Sequence, residues 1–347
     1  MDQPNPVTPV YETGELIAAV PYLLGYHPTN ALVMITVGGG SRVYTNGTLC
    51  IDLPPADSYQ DLAQRYARLF RESDATGVVV LVVGTAGQDQ PDPLPYHEFV
   101  AAIRTHMERG GIRLLHATWT ASTTSNSHWW CYARPDECHG PVLPSEQAPA
   151  VVAAIAAGIV PFASRQALVD LLRPDDETAL VRRAEQINQL VTTANKAAVG
   201  AEGAARTAVQ QVDAALALDD PSQLTETDIV QLVAALHNRL VQAVCLGFAT
   251  TERAATAEQL WTKLTKSVPA PYRAEPACLL TATAYLRGNR AVATQALRVA
   301  EEANPDHHVI YLLRVVLAYG LPPDLVAESL TDLAAQAREV IETSPTT

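Results

Sequence analysis

The chain has 347 residues, enough for two domains with full-sized cores, and its 48% hydrophobic and 18% charged content is that of an ordinary globular protein. A formal net charge of −13 and the lack of any basic run exclude the clustered Lys and Arg that a phosphate backbone demands, so no nucleic-acid partner is expected. The start, Met1-Asp2-Gln3-Pro4-Asn5, has neither the basic nor the apolar part of a signal peptide, and apolar runs such as 78–83 are too short to span a bilayer. Five cysteines at scattered positions (50, 131, 138, 245, 278) do not form a disulfide framework, and a reduced, cytoplasmic protein without a membrane partner is expected.

Residues 15–37, ELIAAVPYLLGYHPTNALVMITV, predict a helix broken at Pro21, a tight Gly25-Tyr26-His27-Pro28 corner and a strand over Ala31–Val37 buried on both faces. Three glycines, 38–40, then lead to a second strand over Val43–Leu53, interrupted near Asn46-Gly47, which suggests a hairpin. A helix follows from Asp57 or Ser58, with Tyr59, Leu62, Ala63, Tyr66, Leu69 and Phe70 on one stripe and Asp57 with Gln60 spaced as a capping box. Val78–Val83, an unbroken β-branched run, predicts a central strand. A proline-rich loop over 90–95 opens a helix from Tyr96 to Arg109, stopped by Gly110-Gly111, and Ile112–Trp119 is the next strand. Strand, helix, strand at this spacing implies a right-handed parallel crossover. His128–Tyr132 reads as a short edge strand.

The segment 141–150, PVLPSEQAPA, is the expected boundary between an α/β domain over 1–145 and a helical domain over 151–347. Beyond it strand signals vanish. Ser164 is placed to cap a short helix, and Asp175-Asp176-Glu177 put acids on the first turn of a long one. Asp219-Asp220-Pro221 break the pattern, and Thr225 or Thr227 restarts it toward Leu246. In the last third AYLRGN (284–289) is echoed by VLAYGL (316–321) about 32 residues on, each a helix, a glycine turn and a second helix, as in a tetratricopeptide-type hairpin.

Common catalytic signatures are missing. The triple glycine leads into a strand, whereas a phosphate-binding loop must open a helix, and neither GxxxxGK[ST] nor GxSxG occurs. No cofactor is expected. Within HWWCYARPDECHGP, Cys131, Cys138 and His139 are soft ligands that could hold zinc, although the cysteines are seven apart where structural zinc pairs sit two to four apart. Trp129 and Trp130 must face opposite sides of a strand, which makes Trp130 a candidate for a binding surface or for the core. His27 before Pro28, with Tyr26 and Asn30, could present a general base, but the turn residues also account for the segment without chemistry. Asp52 alternates away from Ile51 and Leu53, and with His116 it could line a cleft at the strand carboxyl ends. His307-His308, after Pro305-Asp306, reads as a solvated helix start.

Taken together, ELIAAVPYLLGYHPTNALVMITV, HWWCYARPDECHGPVLP with PFASRQALVDLL, and the stretch from Trp261 through ACLLTATAYLRGNRAVATQALRVAEEANPDHHV resemble an actinobacterial family catalogued as domain of unknown function 4192. The resemblance spans nearly the whole chain. Where family members carry a cysteine-rich, proline-ended motif, this chain has Asp136-Glu137-Cys138-His139-Gly140-Pro141, with a histidine for one cysteine. The resemblance implies no activity and no catalytic residue. The expectation is thus a non-catalytic scaffold with a protein partner, compatible with a homodimer. The alternatives are a small-molecule-binding protein or enzyme with its site at the strand carboxyl ends, and a zinc- or redox-responsive module.

Overall fold

The computed structural model describes residues 12–38, 44–73, 75–84, 91–144, 147–156, 158–196, 201–218 and 220–343. The chain divides into two compact units, Met1–Arg165 and Gln166–Thr347. The first is an α/β unit on a six-stranded mixed sheet, and the second is helical throughout its described residues. No single described helix is long and apolar enough to cross a membrane.

In the first unit, helix α1 spans Thr13–Leu24 and runs on through Pro21 rather than breaking there. Proline removes one amide bond, but Ile17, Ala18, Ala19 and Val20 are all buried, and that packing outweighs the lost bond. Gly25, at φ 76°, ends the helix in the left-handed region where glycine carries no Cβ penalty. Strands β1 (Ala31–Gly38) and β2 (Tyr44–Asp52) form the expected antiparallel hairpin, with the register shifting where Thr36 meets Gly47 and Val37 meets Thr45. Part of the triple glycine (39–40) lies outside the described residues.

Helix α2 covers Tyr59–Glu72 behind a 3-10 turn over Ala56–Ser58. The expected Asp57–Gln60 capping box does not form: the tighter turn carries the chain into the helix, and Ser58 Oγ donates to Asp57 Oδ1. Strand β3 (Ala75–Val83) pairs antiparallel with β1, helix α3 covers His97–Arg109, and β4 (Arg113–Thr120) pairs parallel with β3, the predicted crossover. Gly111 takes φ 79° at the α3 exit. Strand β5 (His128–Cys131) is not an edge, because β6 (His139–Pro141) pairs outside it, giving the order β2-β1-β3-β4-β5-β6.

The period of two along the strands sorts their side chains onto two cores. Leu32, Met34, Val78, Val80, Val82, Ala117 and Trp119 pack with Phe99 and Ile103 of α3 and Phe70 of α2. Val33, Ile35, Leu81 and Val83 pack with Ile17 and Val20 of α1 and with Val151 of α4 (Pro149–Ala156). The first unit therefore extends past the proline-rich 141–150 segment, since Val142, Ala148 and Val151 are buried in its second core.

The chain enters the second unit through α5 (Arg165–Asp170), whose first residue closes the first unit, and the second unit goes on with α6 (Glu177–Lys196), α7 (Ala201–Leu216), α8 (Glu226–Ala235), α9 (Arg239–Gly247), α10 (Ala254–Ser267), α11 (Ala274–Leu286), α12 (Arg290–Ala303), α13 (Ile310–Tyr319) and α14 (Pro323–Thr343). The helix expected to run from Thr225 toward Leu246 is two helices, because Asn238 accepts from the amides of Leu240 and Val241 and starts α9 afresh. Gly288 (φ 78°) and Gly320 (φ 57°) turn the chain between α11 and α12 and between α13 and α14.

Candidate functional site

The pairing of β3 with β4 puts Val83 beside Thr120, so these two strands end together, and Ala31 at the start of β1 lies opposite Val83. The GYHPTN corner therefore sits at the carboxyl ends of the parallel pair, where α/β sheets bind ligands. It is held by backbone bonds: His27 N–H donates to Phe162 O (2.9 Å), Phe162 N–H to Gly25 O (2.8 Å) and Leu53 N–H to Asn30 O (3.0 Å). Asn30, exposed and at φ 47°, serves the turn.

His27 Nδ1 lies 3.4 Å from Oγ1 of Thr123, a buried residue in the loop after β4, and partial burial favours the neutral imidazole. Tyr26 is buried; loss of water and a hydrogen bond with the Cys50 thiol push its phenol far above the ordinary range. Asp52 keeps 90% of its side chain exposed, 4.0 Å from Arg165. Tyr26, Cys50, Asp52 and Arg165 thus form one cluster at this end of the sheet, of which sequence reasoning found two members. The other two were missed because Cys50 reads as an ordinary strand residue and Arg165 is distant in sequence.

The remaining candidates lie elsewhere. Trp130 is buried and its ring centroid is 5.5 Å from that of Trp119, so it belongs to the core against α2 and α3 and offers no binding surface. Cys131 and Cys138 are brought together: β5 and β6 pair Trp130 with His139, and one residue on the Cys131 amide donates to Cys138 O at 2.9 Å. His139 alternates with Cys138 and shares its partner Trp130's face of the sheet, so it is directed away from both thiols. The imidazole that joins them is that of His116, in β4 opposite Val79 and two residues before Thr118, the partner of Cys131. One ligand atom from each of His116, Cys131 and Cys138 lies within 4.8 Å of the others. His116 is thereby separated from the strand ends it was expected to line.

An open hollow on α6, lined by Glu177, Thr178, Val181, Arg182 and Glu185, is remote in sequence from both clusters and holds none of these groups. Among the described residues, the helical unit holds a further network that sequence reasoning missed, centred on His307. It is buried beside Glu275 and Cys278.

A mixed-sheet α/β unit followed in the chain by an all-helical unit is the class of protein these observations define. The chain belongs to the family described as a domain of unknown function (DUF4192), whose model matches residues 14–324. No curated protein and no solved structure matches it.

Proposed function

We propose that this protein is a non-catalytic scaffold in the cytoplasm whose helical unit docks a protein partner along α13. The observation that carries this reading is the second apolar face of α13. Ile310, Leu313 and Leu317 are buried, yet the opposite side carries Tyr311, Val315, Ala318 and Tyr319 at helical spacing, with Leu312 beside them. Tyr311, Leu312 and Tyr319 are 68%, 61% and 79% exposed. A surface helix normally turns charge to solvent there, and contiguous exposed apolar side chains mark interaction sites. The glycine-turned pairs α11–α12 and α13–α14 support the repeat-like reading of the unit, and the free state of all five cysteines is in keeping with a reducing compartment.

The test is photo-crosslinking in the native host from position 311, with Thr294 on the exposed side of α12 as control. A discrete crosslinked protein from 311, absent from 294 and lost in Tyr319→Glu, supports the reading. Equal crosslinking from both positions overturns it.

A second reading, a small-ligand or catalytic site at the strand carboxyl ends, draws support from the neutral His27 beside Thr123 at that location. Thermal-shift screening of small metabolites would favour it if a hit stabilises the wild type and not His27→Ala.

A further inference from the structure

We propose that His116, Cys131 and Cys138 form a site for one thiophilic divalent cation of the zinc class, with three protein ligands and a fourth position left for water or an incoming ligand. The spacing of seven that speaks against zinc in the sequence ceases to matter in the fold. The two cysteines stand across from each other at the closed end of the β5–β6 hairpin, and His116 reaches them from the next strand. A tetrahedral zinc with Zn–S of about 2.3 Å and Zn–N of about 2.0 Å holds its ligand atoms about 3.5–3.8 Å apart. The three ligand atoms already lie within 4.8 Å of one another, so side-chain rotation of about 1 Å closes the set.

Independent features point the same way. Nε2 of His116 is buried and has no hydrogen-bond partner among the described residues, a cost that a metal bond would remove. The edge-on ring of Trp129, 6.1 Å between centroids, fixes the imidazole in place. The Ala133 amide donates to Cys131 Sγ at 3.4 Å, the kind of N–H to sulfur bond that steadies a thiolate ligand.

The hairpin between the cysteines is set by its own bonds. The Cys138 amide donates to Arg134 O at 2.9 Å, and Arg134 pairs with Glu137 at 3.1 Å. Binding breaks two S–H bonds, releases two protons and forms two metal–sulfur bonds. Two thiolates then balance the dication, leaving the site neutral in a partly buried place.

The experiment is metal analysis and native mass spectrometry of the full chain, made in zinc-supplemented medium and purified with a phosphine reductant. About one zinc per chain is expected in the wild type and in His139→Ala, falling to background in His116→Ala and in the double variant Cys131→Ser/Cys138→Ser. Cobalt exchanged into the wild type should show thiolate-to-metal charge transfer and tetrahedral visible bands, both lost in Cys138→Ala. That variant changes only the half-exposed hairpin position and guards against misfolding of the double variant. A wild type that stays metal-free after dialysis against excess zinc overturns the proposal, as does full zinc retention in folded Cys138→Ala or His116→Ala.

Discussion

Nε2 of His307 lies 2.9 Å from Oε2 of Glu275 inside the helical unit, although the sequence around His307 reads as a solvated helix start. The Val309 amide donates to Nδ1 at 3.4 Å, which places the ring hydrogen on Nε2, directed at the carboxylate. Gln242 also donates to Glu275, and Cys278 Sγ stands 3.5 Å from Nδ1. Two helices, α9 and α11, and the loop before α13 meet at this network, so breaking it strands buried polar groups. Glu275→Ala or His307→Ala should cost about 2–4 kcal/mol in urea unfolding. A loss below about 0.5 kcal/mol in both would show the network to be dispensable.

Helix α8 starts on a capping box in which the Thr225 amide and hydroxyl donate to Asp228 Oδ2 at 2.9 and 2.6 Å, and the Asp228 amide donates back to Thr225 Oγ1 at 3.2 Å. Thr225→Ala should cost about 1 kcal/mol at pH 7. The bonds from Thr225 hold the Asp228 carboxyl below its ordinary value of 3.8. A carboxyl with a depressed folded-state pKa contributes stability that is present above that ordinary value and lost as pH falls through the folded one. The gap between wild type and Asp228→Asn in denaturation midpoint should therefore narrow below pH 3.8. A gap constant down to pH 2 would contradict an ionic contribution.

Gly247 closes α9 against α14, and a Cβ there would come 2.4 Å from that of Ala334. Both belong to packed helices, so neither yields cheaply. Gly247→Ala should destabilise by about 1–3 kcal/mol, despite alanine's better helix propensity. Thermal unfolding decides it: an unchanged or raised midpoint would mean the two helices can separate at no cost.

Trp130→Ala tests the assignment of that ring to the core. At 7% exposure and packed on Trp119, its loss should cost about 3–5 kcal/mol, the usual range for emptying a large aromatic site. A stable variant with near-native unfolding would return Trp130 to the surface candidates.

The local patterns carried the first unit a long way. The β-branched run 78–83, the alternation around it and the paired glycines at 110–111 located β3, α3 and β4 within a few residues, because each depends on its own backbone preferences. The hairpin register and the order of all six strands depend on pairing across the sheet, which no single segment encodes. That is why β5 read as an edge. The same limit hid the third member of the thiol cluster. His139 is next to Cys138 in sequence, but neighbours in a strand face opposite ways, and His116 joins the cysteines only because β4 runs beside β5. His307 was misread for a related reason: its flanking Pro305 and Asp306 describe the chain's entry into α13 and say nothing of Glu275, 32 residues earlier on α11.

The bridge between Tyr26 and Phe162 has a consequence for anyone dividing the protein. A fragment cut at residue 145 would retain every strand yet lose Phe162, the partner of the GYHPTN corner, and the Val151 side chain that covers Ile17 and Val20. It would expose an oily flank of α1 and would be prone to clump on expression. One ending at residue 165 would keep both ends of the unit tied, and is the shorter piece with a sound claim to fold alone.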